Sequence, residues 1–254
     1  MFLDRQSIVH RWHPLTKAVL ALLGLVAAAV LPDPGWALLY FALIQVPLAA
    51  MARILGPFLR SAGLVIWPFA LSLALIQGFF TPGTTGLFSL GDFTFTLEGL
   101  QAGLSVAARL LVALGATLQL MLSTRPDRLM LALRELGLPN AIAYIVLTAL
   151  QIFPRFQERA SVILDAQQAR GLELQVNIFR RLPLLVPMVA PLILGSIVEV
   201  EERAMALETR AFNHPGQPSQ LEVLRDSAIQ RVARWALLLL AVALIAARLM
   251  GWLE

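Results

Sequence analysis

Cysteine is absent from all 254 residues, which excludes disulfides, thiol catalysis and thiolate metal sites. Lysine is almost absent: Lys17 is the only one, and the other 19 cations are arginines. Charge of any kind is scarce, at 14% of residues against about 25% in soluble domains. Hydrophobic residues reach 58% before glycine is counted, and mean hydropathy is +0.75. A soluble globular domain and a disordered chain are both excluded. A phosphate-binding loop is missing too: Thr81-Pro-Gly-Thr-Thr-Gly86 lacks the lysine such a loop needs. ATP, if it drives this system, is bound with Mg by other chains, and no cofactor is expected on this one.

What remains is an integral membrane protein with unevenly placed charge. Of 36 formal charges, 24 lie in residues 123–234, as 13 arginines and 11 acids. Net charge is +4, yet no basic run exceeds Arg180–Arg181, which argues against nucleic acid. Crossing the hydrocarbon takes about 17–25 apolar residues. Leu15–Leu31, Trp36–Ala52, Ser61–Phe80, Gly99–Leu122 and Trp235–Leu253 meet that length. The first is preceded by a polar, proline-containing segment without a cleavage site and reads as a retained span, not a signal peptide. Ala141–Phe153 and Leu182–Val198 are read as apolar ends of long helices, because counting both as spans would put Arg155, Arg159, Arg170, Arg180 and Arg181 outside. The connectors 32–35 and 81–97 carry no Lys or Arg, whereas Arg5, Arg11, Lys17, Arg53 and Arg60 flank the opposite ends. The positive-inside rule then places the N-terminus in the cytoplasm.

The prediction is an all-α, polytopic membrane protein with about five transmembrane helices and long cytoplasmic amphipathic helices. Residues 1–122 form a four-span bundle, 123–234 the amphipathic region and 235–254 a last transmembrane helix.

Within the amphipathic region one pattern occurs twice. Phe156–Leu172 ends in Ala169-Arg170-Gly171, and Ile197–Phe212 carries Thr209-Arg210-Ala211. Arg170 and Arg210 stand 40 residues apart, with Ala166 and Ala206 one turn before them on the same helix face. Gly171 suits the residue after a helix C-cap, and Asn213-His214-Pro215-Gly216 stops the second helix. A lone arginine there does no more than favour the helix dipole by about 0.3–1 kcal/mol. Two on small-residue tips suit insertion into two similar acidic grooves, because guanidinium pairs bidentately with carboxylate.

These tips resemble the paired arginine motifs of T components, the transmembrane scaffold subunits of energy-coupling-factor (ECF) importers. Ser7-Ile-Val-His10-Arg-Trp-His13-Pro14-Leu-Thr-Lys17 is similar to that family's N-terminal segment. Arg125-Pro126-Asp127 followed by Leu136-Gly137-Leu138-Pro139 is similar to its first coupling helix. The likeness covers nearly the whole chain; the second copy departs from it, with Ala211 in place of glycine, which bears on the local backbone. The resemblance implies a non-catalytic scaffold in a bacterial or archaeal plasma membrane. It would link two cytoplasmic ABC ATPase subunits (A components) to a small integral membrane substrate-binding subunit (S component), for vitamin or cobalt/nickel uptake. Ala169, Arg170 and Gly171, with Thr209, Arg210 and Ala211, would dock the ATPases. The coupling helices would be Arg125–Leu136, Asn140–Leu172 and Leu182–Phe212.

Three other readings are weaker. A conventional ABC importer permease has one acid-Ala-Ala loop, which Asp165-Ala166-Gln167 with Gly171 and Leu182-Pro183 imitates out of register. An intramembrane enzyme would draw on Glu201-Glu202, Gly195-Ser196 or His10-x-x-His13. A glutamate-type membrane protease would want an arginine four residues after Glu202, where Met205-Ala206-Leu207 offers none, and His10, His13 and His214 lie outside the spans. A secondary transporter would need ionisable groups at mid-span, and only Arg109 qualifies, with no acid in the spans to pair it; Gln45, Gln77, Gln119 or backbone carbonyls are its expected partners.

Overall fold

The computed structural model describes residues 7, 9–31, 33–90, 93–171, 186–211 and 226–251. They are almost entirely helical, in two compact units: Met1–Gly137 with Leu224–Glu254, and Leu138–Val223.

In the first unit each helix starts where a cap meets an apolar run. His13 caps α1 (Pro14–Val30), its ring accepting from the Leu15 N–H, with Pro14 at the first position where no N–H is needed. The next apolar run is a rod of α2 (Pro34–Tyr40), a π-turn (Phe41–Gln45) and α3 (Val46–Met51). Pro47 cannot donate to the preceding turn, and the wider turn is closed by the Val46 N–H on the Phe41 carbonyl. Gln45 is thereby buried, its Nε2 donating to the Val112 carbonyl at 2.8 Å. The rod stops in a paired-bond cap: Arg53 adopts φ 57°, and Arg53 and Ile54 donate to the Ala50 and Ala49 carbonyls at 2.9 and 3.0 Å.

Next come α4 (Leu55–Phe80) and α5 (Leu97–Ser123), with a two-stranded antiparallel hairpin between them: β1 (Gly86–Leu90) and β2 (Phe93–Thr96). Residues 81–97, expected as a plain connector, carry this hairpin instead, and the Phe-Thr-Phe-Thr alternation of β2 suits a strand. Thr96 caps α5 through the Gly99 N–H, and Glu98 accepts from Thr84 and Thr85. α4 and α5 pack antiparallel and very close: a Cβ on Gly99 would lie 2.2 Å from the Gln77 carbonyl oxygen, and one on Gly103 2.7 Å from that of Leu73. Gly99, Gly103 and Ala107 recur every fourth residue and are all buried. Of the 21 buried apolar residues described, 13 are alanine, while Leu64, Trp67 and Phe80 of α4 are each 72% exposed. That inside-out pattern follows from lipid being as apolar as leucine, so that close backbone approach, not apolar burial, holds membrane helices together.

Two cations close helix C-termini. Lys17 Nζ donates to the Ser123 carbonyl at the end of α5 (2.8 Å), and Arg248 Nη1 to the Val30 carbonyl at the end of α1 (2.6 Å). Arg248 belongs to α9 (Ala228–Leu249), capped by Ser227. α6 (Pro126–Glu135) has Arg125 and Leu136 as its caps, so the first coupling-helix bounds coincide with it, and Gly137 follows at φ +100°. α6 packs against α1 in this unit.

Among the described residues four helices are long and apolar enough to cross a membrane: Pro34–Met51, Leu55–Phe80, Leu97–Ser123 and Ala228–Leu249. Pro14–Val30 is apolar and has 17 residues, the lower end of the spanning range of about 17–25. The chain is an all-α, multi-pass membrane protein.

The second unit consists of α7 (Asn140–Ala169) and α8 (Val186–Thr209), which pack on each other. Over the described residues neither is a candidate span. Leu172, Leu182–Leu185 and Phe212, assigned above to the ends of these helices, lie outside the described residues.

Candidate functional site

The two arginine tips have the same backbone. Arg170 is the C-cap of α7, its N–H on the Gln167 carbonyl at 3.1 Å. The next residue, Gly171, turns left-handed at φ +93° and donates to the Gln168 carbonyl at 2.9 Å. At the end of α8, Arg210 follows Thr209, and Ala211 adopts φ +52° while donating to the Glu208 carbonyl at 3.0 Å. The missing glycine has therefore not changed the cap; alanine carries the left-handed conformation that glycine adopts without steric cost. Thr209 adds a side-chain bond from Oγ1 to the Ala206 carbonyl at 3.1 Å.

All six tip residues, Ala169, Arg170, Gly171, Thr209, Arg210 and Ala211, are exposed. Among the described residues neither guanidinium has a hydrogen-bond or ion-pair partner. Each tip thus offers a planar donor fork beyond a helix end, a geometry that can pair bidentately with a carboxylate. The tips differ one turn back, where Gln167-Gln168 stands against Leu207-Glu208.

Residues that suggested other chemistry have structural partners. Ser196 Oγ donates to the Leu192 carbonyl on its own helix (2.7 Å), and His10 Nδ1 faces Ser7 Oγ at 2.7 Å. Glu201 and Glu202 are exposed on α8. Among the described residues no group of three or more His, Asp or Glu side chains could hold a metal. His214 and the Leu182-Pro183 ending of the permease-like loop lie outside the described residues. Arg109 is half-buried on α5, while Gln45 bonds the Val112 carbonyl and Gln77 the Thr81 hydroxyl.

Two polar clusters carry no sequence motif. His13 Nδ1 accepts from the Leu15 N–H at 3.3 Å and faces Arg234 Nη1 at 3.2 Å. The ring proton therefore belongs on Nε2, 3.5 Å from Glu135 on α6. The His13 N–H donates to Gln230 at 2.8 Å, and Arg234 pairs with Asp226. Burial pushes His13 below its ordinary value, against the pull of Asp226 and Glu135. Burial pushes Asp226 up, but the Arg234 hydrogen bond and charge leave it below the usual carboxylate range. The second cluster surrounds Glu199 of α8, which takes Arg203 at 2.5 Å, Arg159 of α7 at 2.7 Å and Arg155 of α7 at 3.7 Å. The Arg203 hydrogen bond leads in holding Glu199 below its ordinary value. Neither cluster is contiguous in sequence, so spacing alone could not reveal them.

Comparison with known proteins gives one family. Residues 5–220 match CbiQ, described as cobalt transport protein. The energy-coupling factor transporter transmembrane protein EcfT of Heliobacterium modesticaldum is 32% identical over 220 residues, covering 83% of this chain and 82% of its own. That of Thermosediminibacter oceani is 27% identical over 263 residues, covering 97% and 96%. That of Leuconostoc gelidum is 28% identical over 250 residues, covering 93% and 91%.

Proposed function

Since the chain belongs to the CbiQ family and is the transmembrane T component of an ECF transporter, without catalysis of its own, we propose that it links two cytoplasmic ATPases to a membrane-embedded substrate-binding subunit. Arg170 and Arg210 each dock in an acidic groove of one ATPase, with Ala169 and Gly171, and Thr209 and Ala211, keeping the tips narrow enough to enter. The observation that carries this reading is the duplicated tip: two exposed arginines, each followed by a left-handed residue at a helix end. The ATPases bind ATP-Mg and supply the energy. Exposed apolar residues on the amphipathic helices, among them Ile145 and Phe153 on α7 and Leu194 and Val200 on α8, serve as the cradle for the binding subunit. The N-terminus is cytoplasmic with five spans, and the cargo is a vitamin or a metal ion.

The test is the joint charge reversal Arg170→Glu with Arg210→Glu in the assembled transporter. Truncating one partner of a buried charge pair costs about 2–5 kcal/mol, so the double variant is expected to release both ATPases and abolish uptake while the chain stays inserted. ATPase copurification and uptake that both survive would refute the assignment. Recovery of the wild-type chain with two loop-bearing ATPases and a small apolar membrane protein supports the class. Recovery with a soluble or lipid-anchored binding protein would favour the conventional permease.

A further inference from the structure

The Glu199 cluster has a symmetry that ties it to the tips. Arg159 and Glu199 are 40 residues apart, the same offset as Arg170 and Arg210. They are therefore equivalent positions of the two copies, each eleven residues before its tip arginine. The flanking contacts exchange under the same operation. Arg155 Nη1 lies 3.7 Å from Glu199, and Arg159 Nη1 lies 3.5 Å from the carbonyl of Gly195, which is the position equivalent to Arg155. The pairing order along α7 and α8 is reversed: Tyr144 bonds Arg203, Arg159 meets Glu199, and Val162 and Ile163 share a groove with Pro191 and Leu192. Two helices that cross antiparallel at equivalent positions carry their tips away from the crossing by equal lengths. At a rise of about 1.5 Å per residue, each arm is roughly 16 Å long.

A surface ion pair within one helix does little, and Arg203 with Glu199 alone would be that. The carboxylate here is reached from both helices. Its removal would leave Arg155, Arg159 and Arg203 facing one another, so that loss of attraction becomes repulsion at the crossing. Gly195 leaves room for the approach, since a Cβ there would meet only the Arg159 guanidinium, at 3.9 Å.

We propose that Glu199 is a positioning residue: with Arg159 it forms a charge clasp between equivalent positions of α7 and α8, fixing the register of their crossing so that Arg170 and Arg210 are held on two arms of equal length. The clasp makes the pair a two-armed lever, in which displacement of one tip is transmitted to the other. That transmission rests on the ATPase-docking role proposed above; the clasp geometry does not.

Because the chain has no cysteine, Asp165→Cys with Met205→Cys places two spin labels at equivalent positions near the tips of the full-length protein in lipid nanodiscs. The distance distribution between them is expected to be single and narrow. Glu199→Gln broadens or shifts it, and the swapped pair Arg159→Glu with Glu199→Arg, which restores one carboxylate among three guanidiniums, narrows it again. In the complete transporter Glu199→Gln is expected to keep both ATPases while uptake per ATP hydrolysed falls about fivefold or more, a loss typical of coupling between sites, and the swap recovers it. An unchanged distribution in Glu199→Gln overturns the clasp, and so does failure of both variants to insert. A broadened distribution with full uptake overturns the lever. If the tip reversals leave the ATPases bound, the docking role fails while the distance result still decides the clasp.

Discussion

The membrane helices and the α7–α8 pair are held together by opposite means. α4 and α5 meet through glycine and alanine, backbone against backbone, with large apolar side chains turned outward. α7 and α8 meet through a cluster of one glutamate and three arginines beside a groove lined by Val162, Ile163, Pro191 and Leu192, and among their described residues only Ala143 is a buried apolar side chain. In lipid, apolar burial gives no net drive, so association depends on shape and tolerates little change of volume. Between amphipathic helices, charge fixes register while the contact stays open enough to accept volume.

One pair of substitutions breaks that comparison most strongly. In Gly103→Leu a side chain must enter where even a Cβ lies 2.7 Å from a backbone oxygen of α4. Overpacking of this kind costs about 3 kcal/mol, which lowers the melting temperature in mild detergent by roughly 6–12 °C. Gly195→Ala adds a methyl in ordinary contact with Arg159 alone and replaces glycine inside a helix, a gain of up to about 1 kcal/mol. Differential scanning fluorimetry of both variants checks the contrast. Equal destabilisation would show that the α7–α8 contact is as tightly packed as the membrane bundle.

A smaller effect comes from the polar knot where α1, α6 and α9 meet. His13 is held neutral, its affinity for a proton lowered from the ordinary 6.5 by burial and by Arg234, against Asp226 and Glu135. The unfolded chain therefore takes up a proton on His13 as pH falls through about 6.5, while the folded chain does not until a lower pH. Stability from this residue is complete above that value and declines as pH falls below it. Asp226 adds the same sign at lower pH, its stabilisation present above 3.8 and lost as pH falls through its lowered folded value. Melting temperatures between about pH 8 and 5 are expected to slope down toward acid, and His13→Asn, which keeps an N-cap acceptor, to flatten the upper part of that slope. A slope unchanged in His13→Asn would remove the residue from the account.

Much of this architecture is legible in the sequence because its signals are local. Apolar runs of spanning length gave the membrane helices, and Arg125, Pro126 and Gly137 bracket α6 through cap chemistry that acts within one turn. α4 starts at Leu55, six residues before the apolar run at Ser61, because Arg60 is acceptable in a helix at its polar end. The tips are legible as a repeat, since an arginine between small residues at a helix end stands out when it occurs twice. What stayed hidden depends on partners far along the chain or on one-residue shifts. Glu199 reads as one of several helix-surface acids until Arg159 is beside it. The π-turn at Phe41–Gln45 inserts a residue that hydropathy cannot register, and the β1–β2 hairpin is too short to outweigh the glycines around it. The Gly99, Gly103, Ala107 spacing was present in the sequence and would have identified the close face of α5.

The smallest effect separates the two tips. Gly171 and Ala211 do the same work at φ +93° and +52°, but only glycine does so without a clash between Cβ and the backbone. Left-handed backbone costs alanine about 1–2 kcal/mol, and the larger entropy that glycine loses on ordering offsets about 0.5–1 kcal/mol of it, so the second cap is the weaker one by about 0.5–1 kcal/mol. Ala211→Gly relieves that strain and is expected to slow hydrogen exchange in the last turn of α8 by about two- to fivefold, given tenfold per 1.4 kcal/mol. Gly171→Ala is expected to speed exchange in the last turn of α7 by a similar factor. Neither substitution touches a guanidinium, so ATPase retention should change little beside the loss expected from charge reversal. If Ala211→Gly leaves exchange unchanged while Gly171→Ala speeds it, the last turn of α8 is held by other bonds, of which Thr209 to the Ala206 carbonyl is the nearest. Thr209→Val in the Ala211→Gly background then separates the two contributions, because it removes that bond and keeps the shape of the side chain.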